Sequence, residues 1–223
     1  ETIGDRGWLL WETALPMMQG LYGGIDTWQL AADAIRDEAR NVRGVGGEVY
    51  MHVPTGSPVF NSYLCALAFA NRADLSNPLT LGHWYRFAIR YGGLLYDRRL
   101  KPMKAEELNV QVQADAPLWW EDTVYRRALS GNRDQFIIHL INPPAKDKLD
   151  LKENVAPPVR RNVQVMMHVP AGSRLAAAWV LSPDPDTHSE PLAPRVEGGI
   201  ATVTVPELAF WDVVVFEFDK GKE

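Results

Sequence analysis

The spacing of apolar positions changes once along the chain, near residue 105. Before that point, apolar runs alternate with stretches of three- and four-residue periodicity. Trp8-Leu9-Leu10-Trp11 is a short apolar run closed by Glu12, the pattern of a buried strand. After a Gly-rich turn, Asp26 stands as an N-cap before a helix whose face is Trp28, Ala31, Ile35, Ala39 and Val42, and Gly44 marks its stop. Glu48 to Val53 reads as a second strand, ended by Pro54, Thr55 and Gly56. Phe60 to Ala73 reads as helix, and Trp84, Phe87, Ala88, Tyr91 and Leu95 mark one face of a further helix ending near Asp97.

From about Glu106 the period becomes two. Thr123 to Leu129 and Gln135 to Asn142 read as a hairpin around Ser130-Gly131-Asn132, and strands follow at Asn162–Val169, Arg174–Leu181, Gly199–Val205 and Phe210–Phe218. Turn formers separate them, as in Asn142-Pro143-Pro144 and Ser182-Pro183-Asp184-Pro185-Asp186. The pattern predicts an antiparallel sandwich over residues 106–223, after an α/β portion over residues 1–105. Pro102 and the charges between Lys101 and Glu107 interrupt the hydrophobic pattern at the boundary. Val49 to Ser57 echoes Val165 to Ser173, but the flanks share nothing, so the likeness reads as convergence on a strand followed by a Pro-Gly turn.

Alternating strands and helices imply a parallel sheet, yet 105 residues supply only two or three strand-helix units, where a closed eight-fold barrel takes about 250 residues. The α/β portion is therefore either a small three-layer domain or the last units of a barrel. A first residue that is Glu1 rather than Met favours the second, with an earlier segment that would also have held any signal peptide.

Charge narrows the partners. Lys plus Arg is 23 and Asp plus Glu is 28, net −5, with no basic run longer than a pair, which argues against a nucleic-acid surface. No stretch approaches the length of a membrane-spanning helix. The single cysteine, Cys65, lies in the apolar segment Tyr63 to Leu67 and reads as a buried thiol. His52, His83, His139, His168 and His188 are too scattered for a metal constellation, and no phosphate loop, nucleophile elbow or CxxC is present.

Several segments resemble a known family. Glu1-Thr2-Ile3-Gly4-Asp5-Arg6-Gly7, Phe60-Asn61 with Phe69-Ala70-Asn71, Tyr85 to Tyr91, Leu94-Leu95-Tyr96-Asp97, Ile138 to Asn142 and Thr204 to Asp212 are similar, in that order, to glycoside hydrolase family 66, the dextranases and cycloisomaltooligosaccharide glucanotransferases. The resemblance implies the C-terminal portion of a (β/α) barrel followed by an immunoglobulin-like antiparallel β-sandwich. It also implies retaining chemistry on α-glucosidic linkages by an aspartate nucleophile and a glutamate acid/base, with no cofactor and an extracellular or periplasmic location. In the matching segment Glu1 stands where the family has its aspartate, and only 12 − 1 = 11 residues separate it from Glu12.

Retention needs two carboxylates about 5 Å apart, one ionised and one protonated, at the carboxyl ends of barrel strands. Glu12 follows the run Trp8 to Trp11 as an acid/base follows its strand, with Trp11 as an aromatic neighbour. Glu1 and Asp5 are the nucleophile candidates, unless that group lies on a missing segment. His52, at the end of the second strand, together with Asn61 and Asp74, are candidate sugar contacts. Trp119, in Trp119-Trp120, is a candidate sugar platform. The expected ligand is an oligo- or polysaccharide, with a second chain or an N-terminal segment completing the barrel. The competing reading is a non-catalytic carbohydrate-binding or scaffold protein whose open sheet edge is covered by a partner.

Overall fold

The computed structural model describes residues 8–11, 28–51, 56–75, 82–146 and 155–221. The chain forms two compact units, Glu1–Ala88 with Pro143–Pro157, and Ile89–Asn142 with Pro158–Glu223.

The first unit holds a parallel sheet in the order β1 (Trp8–Trp11), β2 (Glu48–Met51), β3 (Asp74–Leu75). Helix α1 (Trp28–Gly44) joins β1 to β2, and the residues of its predicted face are buried together with Ala32. Asp26, the predicted cap, lies outside the described residues. Helix α2 (Pro58–Ala70) joins β2 to β3 and is buried on every side from Phe60 to Ala70. Such all-round apolarity is the mark of a core helix. Its start is fixed by Pro58 in the first turn and by the Ser57 hydroxyl, which accepts from the Phe60 N–H at 3.2 Å.

The helix ends three residues earlier than its composition predicts. Arg72 takes a left-handed φ of 62°, its N–H donates to the Phe69 carbonyl at 3.1 Å, and the Ala73 N–H donates to the Ala68 carbonyl at 2.8 Å. This is the Schellman closure, formed with arginine where glycine is usual. A second difference is the break of the predicted helix from Trp84 to Leu95 into α3 (Gly82–Arg90) and α4 (Gly92–Leu95). Gly92 and Gly93 are poor helix formers, and at Tyr91 the chain tightens into a turn in which the Leu94 N–H donates to the Tyr91 carbonyl at 2.7 Å.

The second unit is built of two antiparallel sheets. One has the order β10 (His188–Pro191), β9 (Ser173–Ser182), β13 (Trp211–Lys220), β7 (Arg133–Ile141), β6 (Val124–Leu129), β4 (Lys101–Met103). The other has the order β11 (Arg195–Glu197), β12 (Ile200–Leu208), β8 (Arg160–His168), β5 (Gln111–Gln113). Alternation puts Val163, Val165, Val203 and Val205 of the smaller sheet and Phe136, Ile138, Val214 and Phe216 of the larger into one core. The β6–β7 hairpin turns at Gly131 and Asn132, both with positive φ (76° and 59°), as its Ser-Gly-Asn sequence predicts. The two echoing segments sit in unlike settings, β2 in the parallel sheet and β8 in an antiparallel one.

Candidate functional site

Burial alternates along β2, with Val49 and Met51 inside and Glu48 and Tyr50 half-buried. Tyr50 pairs in register with Asp74 of β3, whose neighbour Leu75 is buried. One face of the β2–β3 pair is therefore apolar, and the other carries Glu48, Tyr50 and Asp74 side by side. The turn that delivers Glu48 is tight. Gly46 has φ of 82°, and a Cβ at Gly47 would lie 2.7 Å from Val42 Cγ1, so only glycine lets the chain fold back on α1 there. The Arg43 guanidinium donates to the Arg72 carbonyl and ties the end of α1 to the segment leading into β3.

The electrostatics of this face favour neutral groups. Burial pushes the Asp74 carboxyl up, a bond from the Leu75 N–H to its Oδ1 at 2.8 Å opposes that, and the Glu48 charge adds to it. The Tyr50 hydroxyl is raised by burial first, then by the charges of Glu48 and Asp74, with Arg43 acting against them. A phenol between two carboxylates, one of them held toward its protonated form, offers donors and acceptors suited to sugar hydroxyls.

Glu1, Asp5, Glu12 and His52 lie outside the described residues. Trp11 is the last residue of β1, where its backbone pairs with Met51, which in turn pairs with Leu75 of β3. Asn61 is 2% exposed in the first turns of α2, where its amide accepts from the Gly56 N–H and donates to the Gly56 carbonyl, both at 3.2 Å. It ties Gly56 to the start of α2. Trp119 belongs to the second unit and is 8% exposed, its backbone exchanging two 2.9 Å bonds with Ile141. Asp74 lies on the polar face, beside Tyr50 and Glu48, which the sequence reading placed on a strand without assigning them a role. The signal was present in the alternation of Glu48-Val49-Tyr50-Met51. Among the described residues no three His, Cys, Asp or Glu side chains converge to hold a metal ion, and no helix is long and apolar enough to cross a membrane.

Residues 61–215, from α2 to β13, match the family model of glycosyl hydrolase family 66. The chain belongs to this family. The span that identifies it as family 66 contains Asn61, Asp74 and Trp119, while Glu1, Asp5, Glu12 and His52 precede it. No curated protein sequence matches the chain. Among solved structures it is similar to a cycloisomaltooligosaccharide glucanotransferase of Paenibacillus sp., with a TM-score of 0.52 and 15% identity, over 71% of this chain and 27% of that one. This family 66 chain thus spans about a quarter of the length of the glucanotransferase whose fold it shares. It also overlaps α-L-fucosidase isoenzyme 2 from Paenibacillus thiaminolyticus, with a TM-score of 0.33 and 18% identity over 51% of this chain and 15% of that one. For an α-amylase from H. orenii the values are 0.41 and 9%, over 91% and 48%.

Proposed function

We propose that the chain is the C-terminal part of a retaining glycoside hydrolase acting on α-glucosidic linkages, by hydrolysis or transfer. Its parallel sheet would supply the last strands of a (β/α) barrel, and the two antiparallel sheets an immunoglobulin-like domain. The observation that carries the reading is the parallel order β1–β2–β3, with Glu12 immediately following β1 and His52 immediately following β2 in sequence, in a chain of family 66. Barrel enzymes draw their catalytic groups from the carboxyl ends of such strands.

In this mechanism the Glu12 carboxyl gives its proton to the glycosidic oxygen as the bond to the anomeric carbon breaks. A carboxylate, Glu1 or Asp5 or one on a segment outside this sequence, attacks that carbon from the other side. The glycosyl ester is then opened by water, or by a sugar hydroxyl in transfer, as the Glu12 carboxylate takes up the proton. Trp11 and His52 border the sugar, the Glu48, Tyr50 and Asp74 row binds its hydroxyls, and Asn61 ties Gly56 to the start of α2. The expected ligand is a dextran-like glucan.

The test is sugar release from a panel of α-glucans, including dextran, by this chain and by Glu12→Gln. Release that falls at least about a hundredfold in the variant supports Glu12 as the acid/base. No release by folded chain overturns self-sufficient catalysis and leaves the binding or scaffold reading, in which a second chain or an N-terminal segment pairs with the open edges of the parallel sheet.

A further inference from the structure

The outer face of the four-stranded sheet carries a chemistry of its own. Register places Gln111, Met166, Thr202 and Arg195 in one row across β5, β8, β12 and β11, and Gln113, Gln164 and Thr204 in the next. A third row sets His168 beside Ile200 and Glu197. The intervening Val163, Val165, Val203 and Val205 point into the core, so these rows face outward. Met166 and Thr202 are half-buried and the other glutamines, threonine and histidine of the rows are exposed.

Across β5, β8 and β12 these rows contain no Asp, Glu, Lys or Arg, although such residues make up 23% of the chain. The charges stand at the borders, already paired. Arg195 meets Glu197 at 3.6 Å on the edge strand, and Arg161 meets Glu207 at 3.1 Å beyond Asn162, whose φ of 55° breaks the alternation. Among the described residues, no hydrogen bond within the protein occupies the amides of Gln111, Gln113 and Gln164 or the hydroxyls of Thr202 and Thr204.

We propose that this face is a second, non-catalytic platform for a neutral α-glucan chain lying across the strands. Amides and hydroxyls both donate and accept, as each sugar hydroxyl requires. A neutral polymer gives no return for desolvating charged side chains, so a face that binds one gains from their absence. Met166, Ile200 and the threonine methyls supply apolar contact for the C–H surfaces of the rings. Neighbouring strands are ~4.8 Å apart, so four strands present donors over ~14 Å, the scale of a few hexose units. Each contact is weak, but a polymer held at one site meets a second at high effective concentration, which retains long substrates on the enzyme. The inference rests on the α-glucan reading above for its ligand, but not on Glu12.

The test is electrophoresis of the chain through native gels with and without dextran, repeated between about 50 and 500 mM salt, beside a variant carrying Gln164→Glu and Thr202→Glu. Near-UV circular dichroism checks that the variant keeps its packing. The expected result is retardation by dextran that is insensitive to salt and about tenfold weaker in the variant, with sugar release from short oligosaccharides unchanged. Retardation equal in both proteins, or none in the parent, overturns the platform whatever the release assay gives. Retardation that depends on these two residues in a chain that releases no sugar supports the platform and overturns the catalytic reading alone.

Discussion

Asp212→Asn is expected to stabilise the protein at neutral pH, and to do so in a pH-dependent way that identifies the cause. Asp212 sits on β13 next to the inter-sheet core, 1% exposed, and among the described residues its Oδ1 has no hydrogen-bond partner. Burial pushes its carboxyl up to about 8 from an ordinary 3.8, the Ser182 hydroxyl opposes that, and the charges of Asp184 and Glu190 add to it. The folded chain therefore keeps a proton that the unfolded chain releases. Between pH 3.8 and about 8 each unit of pH lowers stability by ~1.36 kcal/mol. At pH 5 the cost is ~1.6 kcal/mol, and at pH 7 it reaches ~4 kcal/mol. Asparagine keeps the shape and removes the ionisation, at the expense of an amide that needs partners, worth about 1–3 kcal/mol if it finds none. The diagnostic is accordingly the growth of the difference, variant minus parent, by ~2.7 kcal/mol from pH 5 to pH 7. Urea unfolding followed by tryptophan fluorescence at fixed ionic strength measures it. A difference that does not change with pH would show that Asp212 is already ionised in the folded state and sink the reasoning.

His139 has the opposite sign. It is fully buried, stacked on Trp211 with ring centres 5.7 Å apart, and accepts from the Trp211 Nε1–H at 3.3 Å, while burial lowers it to about 3. Its contribution is complete above pH 6.5 and is lost as pH falls toward 3. His139→Leu should cost about 1–3 kcal/mol at pH 7 by removing the bond that His139 accepts from the Trp211 N–H, with the gap to the parent closing near pH 5. Parallel unfolding profiles for the two proteins would contradict this. Asn61→Ala removes both bonds to Gly56 and should cost about 1–2 kcal/mol in urea unfolding; a loss under about 0.5 kcal/mol would mean that other contacts hold Gly56 against α2. Arg127 is 12% exposed and joins the Gly93 carbonyl, Asp97 at 3.4 Å and Gln135, so Arg127→Ala should cost about 2–3 kcal/mol. Arg127→Lys, which cannot reproduce the fork, should recover less than half of that loss by the same measurement.

The elements that could be read from the sequence are those whose pattern is set by burial. The face of α1, the alternation in β8 and β12 and the continuous apolar runs of β7 and β13 follow from which residues must leave water. The strands that escaped the reading are β3, β4, β5, β10 and β11, and β4, β5, β10 and β11 are the four edges of the antiparallel sheets. Edge strands are short, polar and tolerant of proline, as in Lys101-Pro102-Met103 and His188-Ser189-Glu190-Pro191, so no periodicity marks them. The early end of α2 was hidden for another reason: Arg72 occupies a left-handed position that composition assigns to glycine. At the site, the amide of Asn61 is taken up by the backbone of Gly56 five residues earlier, a local bond that the residue type permits but no spacing announces. The Asp74 row became visible only when register set β3 against β2.

That row also bears on which kind of parallel sheet this is. Strands covered by helices on both faces read as continuous apolar runs, because each face must leave water. Here β2 alternates, with Val49 and Met51 buried and Glu48 and Tyr50 half-buried, and β3 repeats the alternation with Leu75 and Asp74. A three-layer domain would have to bury that second face, and with it a phenol and two carboxylates, although the neutral forms of Tyr50 and Asp74 are already favoured at their present depth. The interior of a barrel near its substrate accepts such groups, since their remaining hydrogen bonds can go to water or to sugar hydroxyls. The polar face is compatible with the proposed barrel, at whose strand ends such groups would meet substrate. It predicts that Asp74→Asn leaves the fold intact while weakening α-glucan binding. Asp74→Leu, which would suit a doubly covered sheet, should therefore abolish binding without the gain in stability that a three-layer core would give.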